Sequence, residues 1–192
     1  MAEILYGVKL IVLEELDPKT QLPKEGGVTC MGETGKSVEL EPVISSGDEK
    51  IARSDSNILA IVRTPDLLYG YDLKMVDNTF DLNAAALIEG AKVTKDEQNN
   101  VTKYDTPLIS EGATMKPFRA TLYVANYEGD AIKNYVKLTL NKCSGTSPSI
   151  KLRDDFFAPE FSIKAREATT AKLPIKSIEI VDTLPSVTPA AG

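Results

Sequence analysis

The sequence predicts a mainly β protein: an antiparallel β-sandwich or half-barrel with one packed α-helix. Apolar and polar residues alternate with period two in several segments, which is typical of strands packed on one face and wet on the other. One segment alone has helical periodicity. The chain has 192 residues, of which 42% are hydrophobic and 26% charged. It is therefore long enough to bury a core within one domain.

The strand predictions rest on short runs spread along the chain. A β-rich run opens the chain at residues 4–13, and later runs place alternating apolar residues on one face. These residues are Phe118, Ala120, Leu122 and Val124; Val136, Leu138 and Leu140; Phe161, Ile163 and Ala165; and Ile178 and Ile180.

The single helix is predicted over about residues 79–89. Asn78 is a suitable N-cap with Asp81 in the first turn, and Gly90 stands where a C-terminal glycine belongs. The apolar residues that share its predicted face are Phe80, Ala84, Leu87 and Ile88. A helix this short is marginal alone in water, so we expect it to pack against the sheet.

The predicted organisation is one β domain over residues 1–181, followed by a Pro-rich C-terminal tail over residues 182–192. Turn-forming residues and mixed charge predict three long inter-strand loops, at residues 14–27, 45–56 and 105–117. Loops of this length are usually functional or disordered. The tail is expected to fray in a monomer.

The composition excludes several classes of function. The chain contains no histidine and two cysteines, so it lacks the usual general base, the common nucleophile arrangements and a metal-ligand set. We therefore predict no catalytic, cofactor-binding or metal-binding residues, no cofactor and no enzymatic activity. The net charge of −6 argues against a surface that grips nucleic acid through phosphates.

The stretch CMGETGKS, residues 30–37, resembles a phosphate-binding loop with one residue wrong. Gly35, Lys36 and Ser37 fit the second half of the G-x-x-x-x-G-K-[ST] motif, but Cys30 stands in place of its first glycine. The following residues alternate as a strand does, and Pro42 would stop a helix. We therefore interpret the stretch as a turn that leads into a strand.

The N-terminal residues lack the basic region and cleavage site of a secretory leader, and no apolar run approaches a membrane span. We expect a cytoplasmic protein, or a particle assembled in the cytoplasm, and no membrane insertion.

Two stretches resemble the major tail tube proteins of tailed bacteriophages and related phage-tail-like particles. Residues 69–91 are similar to that family's strand, Asp-Asn-x-Phe segment and short helix ending in glycine, although Ala91 stands where a second glycine is common. Residues 134–145, leading through residues 154–167, are similar to its late hairpin and following strand.

The resemblance implies a tail tube fold and a structural function. Subunits would form hexameric rings whose inner strands make a continuous barrel, and stacked rings would conduct double-stranded DNA, and in many tails a tape-measure protein, without specific binding. Further implied partners are a tail terminator, a distal tail protein or a sheath. The implied location is the virion tail, assembled in the host cytoplasm. We expect a lumen lined by carboxylates and small polar residues, with basic residues paired between subunits.

Two alternatives remain open at this point. A β-sandwich binding or adhesion module would share the alternation, but it should show an exposed aromatic platform, and this chain has no tryptophan. Another ring-forming tail connector protein would share the fold but would not form long tubes.

Overall fold

A computed structural model shows a mainly β protein with antiparallel sheets and one α-helix, which confirms the predicted fold class. The structure describes residues 4–33, 35–77, 81–98, 101–108, 110, 116–150 and 159–186. Within these ranges no helix is long and apolar enough to cross a membrane.

The described elements comprise twelve strands and one helix. In chain order they are β1 (Ile4–Glu15), β2 (Thr29–Gly32), β3 (Gly35–Ser45), β4 (Glu49–Ser54), β5 (Asn57–Arg63), β6 (Leu67–Asp77), α1 (Leu82–Glu89), β7 (Lys92–Lys95), β8 (Val101–Asp105), β9 (Phe118–Glu128), β10 (Ala131–Gly145), β11 (Glu160–Ala165) and β12 (Lys176–Val181).

One eight-stranded sheet forms the body. Seven of its strands follow the order β2-β1-β9-β10-β11-β6-β3, and the eighth, β12, pairs with β10. The long strand β10 has two successive partners on the same side. Its first part pairs with β12, from Tyr135 opposite Val181 to Leu140 opposite Lys176, and its last part pairs with β11, from Cys143 opposite Ala165. The sheet therefore forks between Ala165 and Lys176. Two separate hairpins, β4–β5 and β7–β8, complete the described strands.

The core lies between the two halves of this sheet and the helix. Buried side chains from β1, β9 and β10 meet those from β6 and β11, and α1 contributes Leu87 and Ile88. On β11 the alternation predicted from the sequence is present, because Phe161, Ile163 and Ala165 are buried. The sheet face that carries these residues is therefore the inner face of the body.

The helix differs from the prediction at its start. It begins at Leu82, and its N-cap is Asp81, whose carboxylate accepts a hydrogen bond of 2.8 Å from the amide of Asn83. The prediction that the helix starts near residue 79, with Asp81 in its first turn, was thus wrong. The predicted cap, Asn78, lies outside the described residues. At the other end Gly90 adopts the left-handed conformation with φ of 77°, as predicted from the sequence.

The predicted loop at residues 45–56 is wrong, because β3 continues through Ser45 and residues 49–54 form β4. Its mixed charge is typical of a loop, but a ribbon exposed on both faces tolerates the same composition. At residues 14–27 the chain is a connection only after Glu15, where β1 ends. The predicted loop at 105–117 includes 109 and 111–115, which lie outside the described residues.

The described part of the C-terminal tail contacts the body. Leu184 packs against a small cluster formed by Leu10, Val12 and Tyr123 on the outer face of the sheet. Residues 187–192 lie outside the described residues, so the expectation of a frayed tail stays a prediction for them.

Candidate assembly surface

The two thiols are not nucleophiles at neutral pH. Burial raises the pKa of both Cys30 and Cys143 from 9.0 to about 12, and nearby Asp81 adds to the shift at Cys30. Both residues are free cysteines and are buried. Among the described residues no group of three or more potential ligands could hold a metal ion.

The CMGETGKS stretch forms the end of β2 and the start of β3, apart from Thr34, which lies outside the described residues. From Gly35 onward the backbone pairs with β6, with Ser37 opposite Val76. A phosphate-binding loop needs a helix N-terminus at this point, and the structure has a strand instead. The position of the Lys36 side chain lies outside what the structure describes.

The most unusual feature of the protein is a two-stranded ribbon that extends from the body. We call residues 44–69 the arm. Its base is the pairing of Ile44 with Leu68 at the end of β3 and the start of β6, and its distal part is the β4–β5 hairpin. Apart from Gly47, every residue of the arm is exposed.

Close contacts keep the β3–β6 ladder continuous with the β4–β5 ladder. The amide of Gly47 donates to the Asp66 carboxylate at 2.8 Å, and the amide of Thr64 donates to the carbonyl of Asp48 at 2.9 Å. A Cβ atom at Gly47 would overlap the carbonyl group of Thr64. The two strands can therefore approach here only because residue 47 is glycine.

The arm carries nine large apolar side chains that are 40–68% exposed. Exposed apolar patches of this kind mark interaction sites on soluble proteins, and an isolated two-stranded hairpin is marginally stable in water. The side chains are Ile44, Ile51, Ile58, Leu59, Ile61, Val62, Leu67, Leu68 and Tyr69. The arm therefore presents a large exposed apolar surface that the described part of the chain does not cover.

Arg166 fixes the base of the arm at the fork in the sheet. Its Nη1 atom donates to the carbonyl of Ala165 at 2.8 Å and to that of Tyr71 at 3.3 Å, and lies 3.5 Å from a carboxylate oxygen of Asp72. The guanidinium also lies over the ring of Tyr69, 4.9 Å from its centroid. These contacts set the direction in which the arm leaves the body.

Gly70 makes room for this arrangement. A Cβ atom at residue 70 would lie 2.6 Å from the carbonyl oxygen of Ala165 and would also meet the Arg166 guanidinium. Beside it, the Lys176 ammonium lies 4.5 Å from the centroid of the Tyr71 ring, so a second cation contacts the arm base across the fork.

A second exposed apolar surface lies on the body. Because the strands are antiparallel, one end of the sheet contains the first residues of β1 and β10 and the last residues of β9 and β12. The arm leaves the body at this same end. Exposed apolar residues at this end are Ile4, Leu5, Tyr6 and Ile132, together with Ile178 and Ile180 on β12. We call these residues the end patch.

Ile178 and Ile180 differ from the sequence prediction, which placed them on a packed face. Both are 57% exposed. They lie opposite Leu138 and Val136 in the ladder with β10 and so point to the core side of the sheet. Since β12 lies beside the fork, the described residues of this chain leave both side chains uncovered.

Beside the Leu10, Val12 and Tyr123 cluster, the outer face of β9, β10 and β12 carries a polar area in which Arg119 and Lys137 each have a carboxylate partner. Arg119 Nε lies 2.9 Å from a Glu14 oxygen, and Lys137 Nζ lies 2.9 Å from a Glu179 oxygen. Small polar side chains lie between these pairs, namely Thr121, Thr139 and Ser177. We call this surface the polar face.

Comparison with known proteins adds little to this geometry. No protein-family model matches the chain, and no curated protein matches it. Among solved structures, the chain is similar to a protein from the cryo-EM structure of the anti-feeding prophage cap, a tube-terminating cap. The TM-score is 0.41 at 13% identity, over 93% of this chain and 94% of that chain. At that level the likeness carries no argument about function.

Sequence reasoning predicted no catalytic, cofactor or metal residues, and it did not predict the arm or the end patch. The sequence did contain one signal for the arm. Residues 58–62 are a continuous apolar run, Ile-Leu-Ala-Ile-Val, without the alternation of a strand that is wet on one face.

Proposed function

We propose that this protein is a structural subunit of a phage tail tube or of a phage-tail-like particle. Copies assemble into hexameric rings, and the rings stack into a tube through which the genome passes into the host cell. The observation that carries this proposal is the arm, which is built to be covered by another molecule. The tail-tube resemblance of residues 69–91 and 134–167 supplies the identity of the assembly.

The arm favours self-assembly over a small-molecule or catalytic function. It joins the body through the β3–β6 ladder at one edge of the sheet and through the Arg166 contacts beside it. An exposed apolar extension of this kind suits a repeating contact between identical subunits, which would also stabilise the ribbon.

The polar face suits the wall of a DNA conduit. DNA is gripped non-specifically when unpaired Lys and Arg neutralise phosphates, with dissociation constants of about 10⁻⁴ to 10⁻⁶ M. Here Lys137 and Arg119 each have a carboxylate partner, which reduces that attraction. In this proposal the polar face lines the lumen, and a tape-measure protein shares the same passage.

Further partners belong to the same assembly. A tail terminator and a distal tail protein would close the two ends of the tube, and a sheath would surround it in a contractile particle. The protein would then function in the virion tail, assembled in the host cytoplasm, and would need no cofactor.

The test is removal of the distal arm from otherwise unchanged protein. In the shortened variant Ser45 is joined to Leu67 through a two-residue turn, and a control variant carries Asn57→Asp at the arm tip with the arm length unchanged. Light scattering and negative-stain microscopy, with and without an initiator complex, should show rings or tubes for the wild type and the control. The shortened variant should remain a monomer that unfolds in one cooperative transition, with a circular dichroism spectrum that loses only the contribution of β4 and β5.

Three outcomes would contradict the proposal. A wild-type protein that stays monomeric at high concentration, also with an initiator complex, would favour the binding-module alternative. Finite rings that never stack would favour a connector protein. Tubes formed equally well without the arm would show that assembly uses a different surface.

A further inference from the structure

We propose that the apolar cluster on the outer face of the sheet is a docking site for an extended, uncharged segment of a second polypeptide. In the free subunit this site is covered by residues 183–186, which we call the strap. The strap is an intramolecular stand-in that the second polypeptide displaces. The site lies within one chain, so it goes beyond the proposed assembly and does not depend on it.

The floor of the site is an apolar area whose neighbours on the same face are polar. Leu10 lies opposite Tyr123, and Val12 lies on the same face of β1; all three are at most 8% exposed. Further across the sheet, Tyr123 lies opposite Lys137. Val12 in turn lies opposite Thr121. A sheet surface that faces solvent carries polar residues, so the three apolar residues mark a position that another group covers.

The strap that covers this floor is held by side chains alone. Leu184 packs against the cluster, and Pro185 lies beside it at the edge of the groove on the polar face. Within the described part of the chain, residues 183–186 make no hydrogen bond. Burial of one leucine and part of one proline is similar in size to the conformational entropy that is lost when four residues are ordered. The strap is therefore held weakly enough for another segment to replace it.

The sequence of the strap indicates the chemistry of the segment that fits. A residue that precedes proline is biased toward extended backbone, so Pro185 prepares Leu184 for an extended conformation. Such a segment loses less conformational freedom on docking. An incoming segment with an aliphatic residue followed by proline, and without charge, has the same advantage.

The groove beside the strap has room for a longer segment. With the strap in place, a groove of about 510 Å³ remains next to Pro185. This volume lies within the range of about 300–1,000 Å³ that ligand sites usually have. The groove is lined by Thr121, Thr139 and Ser177, whose hydroxyl groups can donate to or accept from a peptide backbone. A longer segment would therefore make contacts that the strap does not make.

The charges in the groove favour a polypeptide over nucleic acid. Arg119 and Lys137, the basic residues that line the groove, each lie 2.9 Å from a carboxylate oxygen, of Glu14 and Glu179 respectively. A phosphate would meet these carboxylates, which carry the same sign of charge, whereas an uncharged segment would not. In the proposed tube the polar face lines the passage, so the partner there is a polypeptide that occupies the passage.

Thiol protection in the monomer tests whether the strap covers the site. Val12→Cys places a thiol in the floor, where residue 12 is 7% exposed, and the two natural cysteines are buried. In a chain that ends after Asp182, its reaction rate with a small maleimide should be at least about tenfold higher than in the full chain. Thr102→Cys, at an exposed position on β8, is the control and should react equally in both chains. Met31→Cys is a second reporter at the same cluster.

A synthetic peptide tests docking of a second polypeptide. The peptide has the sequence of residues 183–189 with both ends capped, and it should restore the slow rate in the shortened chain. A short tether gives an effective concentration in the millimolar range, so the free peptide is used at about 1–10 mM. The same peptide with serine in place of its leucine, and a DNA duplex, should give no protection. Leu184→Ser in the full chain replaces the shortened chain if the latter does not unfold cooperatively in urea.

Each outcome supports or overturns the inference. An unchanged rate after removal of the strap would overturn it, because the strap would not cover the cluster. A fast rate that neither peptide slows, or that both peptides slow equally, would overturn docking of a second polypeptide. Protection by the DNA duplex alone would assign the groove to nucleic acid instead. All rates are measured on monomers, so failure here leaves the proposed assembly standing, and a wild-type protein that never assembles would leave this inference standing.

Discussion

The contact between α1 and β10 gives a prediction whose size follows from the structure. Gly145, at the end of β10, is buried, and a Cβ atom there would overlap the Ile88 side chain and lie 2.9 Å from the Ile88 carbonyl oxygen. Gly145→Ala therefore forces the helix away from the sheet. Ile88 is 1% exposed and belongs to the main core, so the shift disturbs well-packed atoms.

The expected cost is that of overpacking a core, about 1–3 kcal/mol. For a protein of this size, 1 kcal/mol lowers Tm by about 2–4 °C, so Gly145→Ala should melt about 2–12 °C below the wild type. Urea and thermal unfolding followed by circular dichroism measure the change.

The matched control is Gly32→Ala on β2. A Cβ atom there would lie 3.7 Å from an Asp77 carboxylate oxygen, which is an ordinary contact. This substitution should change the free energy of unfolding by less than about 1 kcal/mol. If Gly145→Ala melted with the wild type, or no lower than Gly32→Ala, the helix would not pack on β10 as described.

Three further predictions concern the arm and the titrating groups. The alanine side chain of Gly70→Ala would collide with Arg166, and Arg166→Ala would remove the same contacts. Both variants should leave the body folded but raise the protein concentration needed for assembly, measured by light scattering. Unchanged assembly would contradict this prediction. Burial raises the pKa of Cys30 and Cys143 from 9.0 to about 12, so the thiols should resist maleimide in the folded monomer. Because the folded state favours the neutral thiols, the free energy of unfolding should decline as pH rises from 9 toward 12, and rapid labelling at pH 8 would refute this burial. Burial disfavours the ionised form of Glu15, but hydrogen bonds from the Val28 amide and Lys24 outweigh it and lower its pKa below 4.5. The ionised Glu15 carboxylate therefore stabilises the folded state above about pH 4.5, and this contribution to the free energy of unfolding is lost as pH falls below that value. In urea titrations at different pH values, Glu15→Gln should remove this part of the loss of stability in acid.

The parts of the fold that sequence patterns predicted are those buried within one chain. On β11, Phe161 and Ile163 alternate with polar residues because one face of the strand packs on the core. A period of two in the sequence therefore predicts which residues are buried. Gly90 was predicted because a helix that ends in the left-handed conformation favours glycine. The start of the helix was misplaced because Asn78 and Asp81 are both good caps, and which one is used depends on the path of the chain before it.

The candidate site could not be predicted in the same way. The arm is exposed in the isolated chain, so its residues follow no pattern set by the chain's own core. Lys50 and Arg53 make β4 resemble a loop, although they lie in the β4–β5 ladder opposite Val62 and Ile58. Ile178 was assigned to a packed face because it alternates with polar neighbours, but no described part of this chain covers it.

The pairing of β1 with β9 has a consequence for how the protein is made. The end of β1 can pair with β2 early, but Ile4 lies opposite Tyr127, so the start of β1 waits for more than half of the chain before its partner on β9 is made. The arm leaves the ribosome well before Arg166 exists to fix its base. At about 5–20 residues per second, its apolar ribbon is exposed for about 5–20 s before the fork can close. Lys50, Arg53 and Arg63 flank the apolar run during this interval, and charges in such positions oppose premature strand pairing between nascent chains. The same ribbon is therefore a hazard during translation and, in the proposed assembly, the means of attachment afterwards.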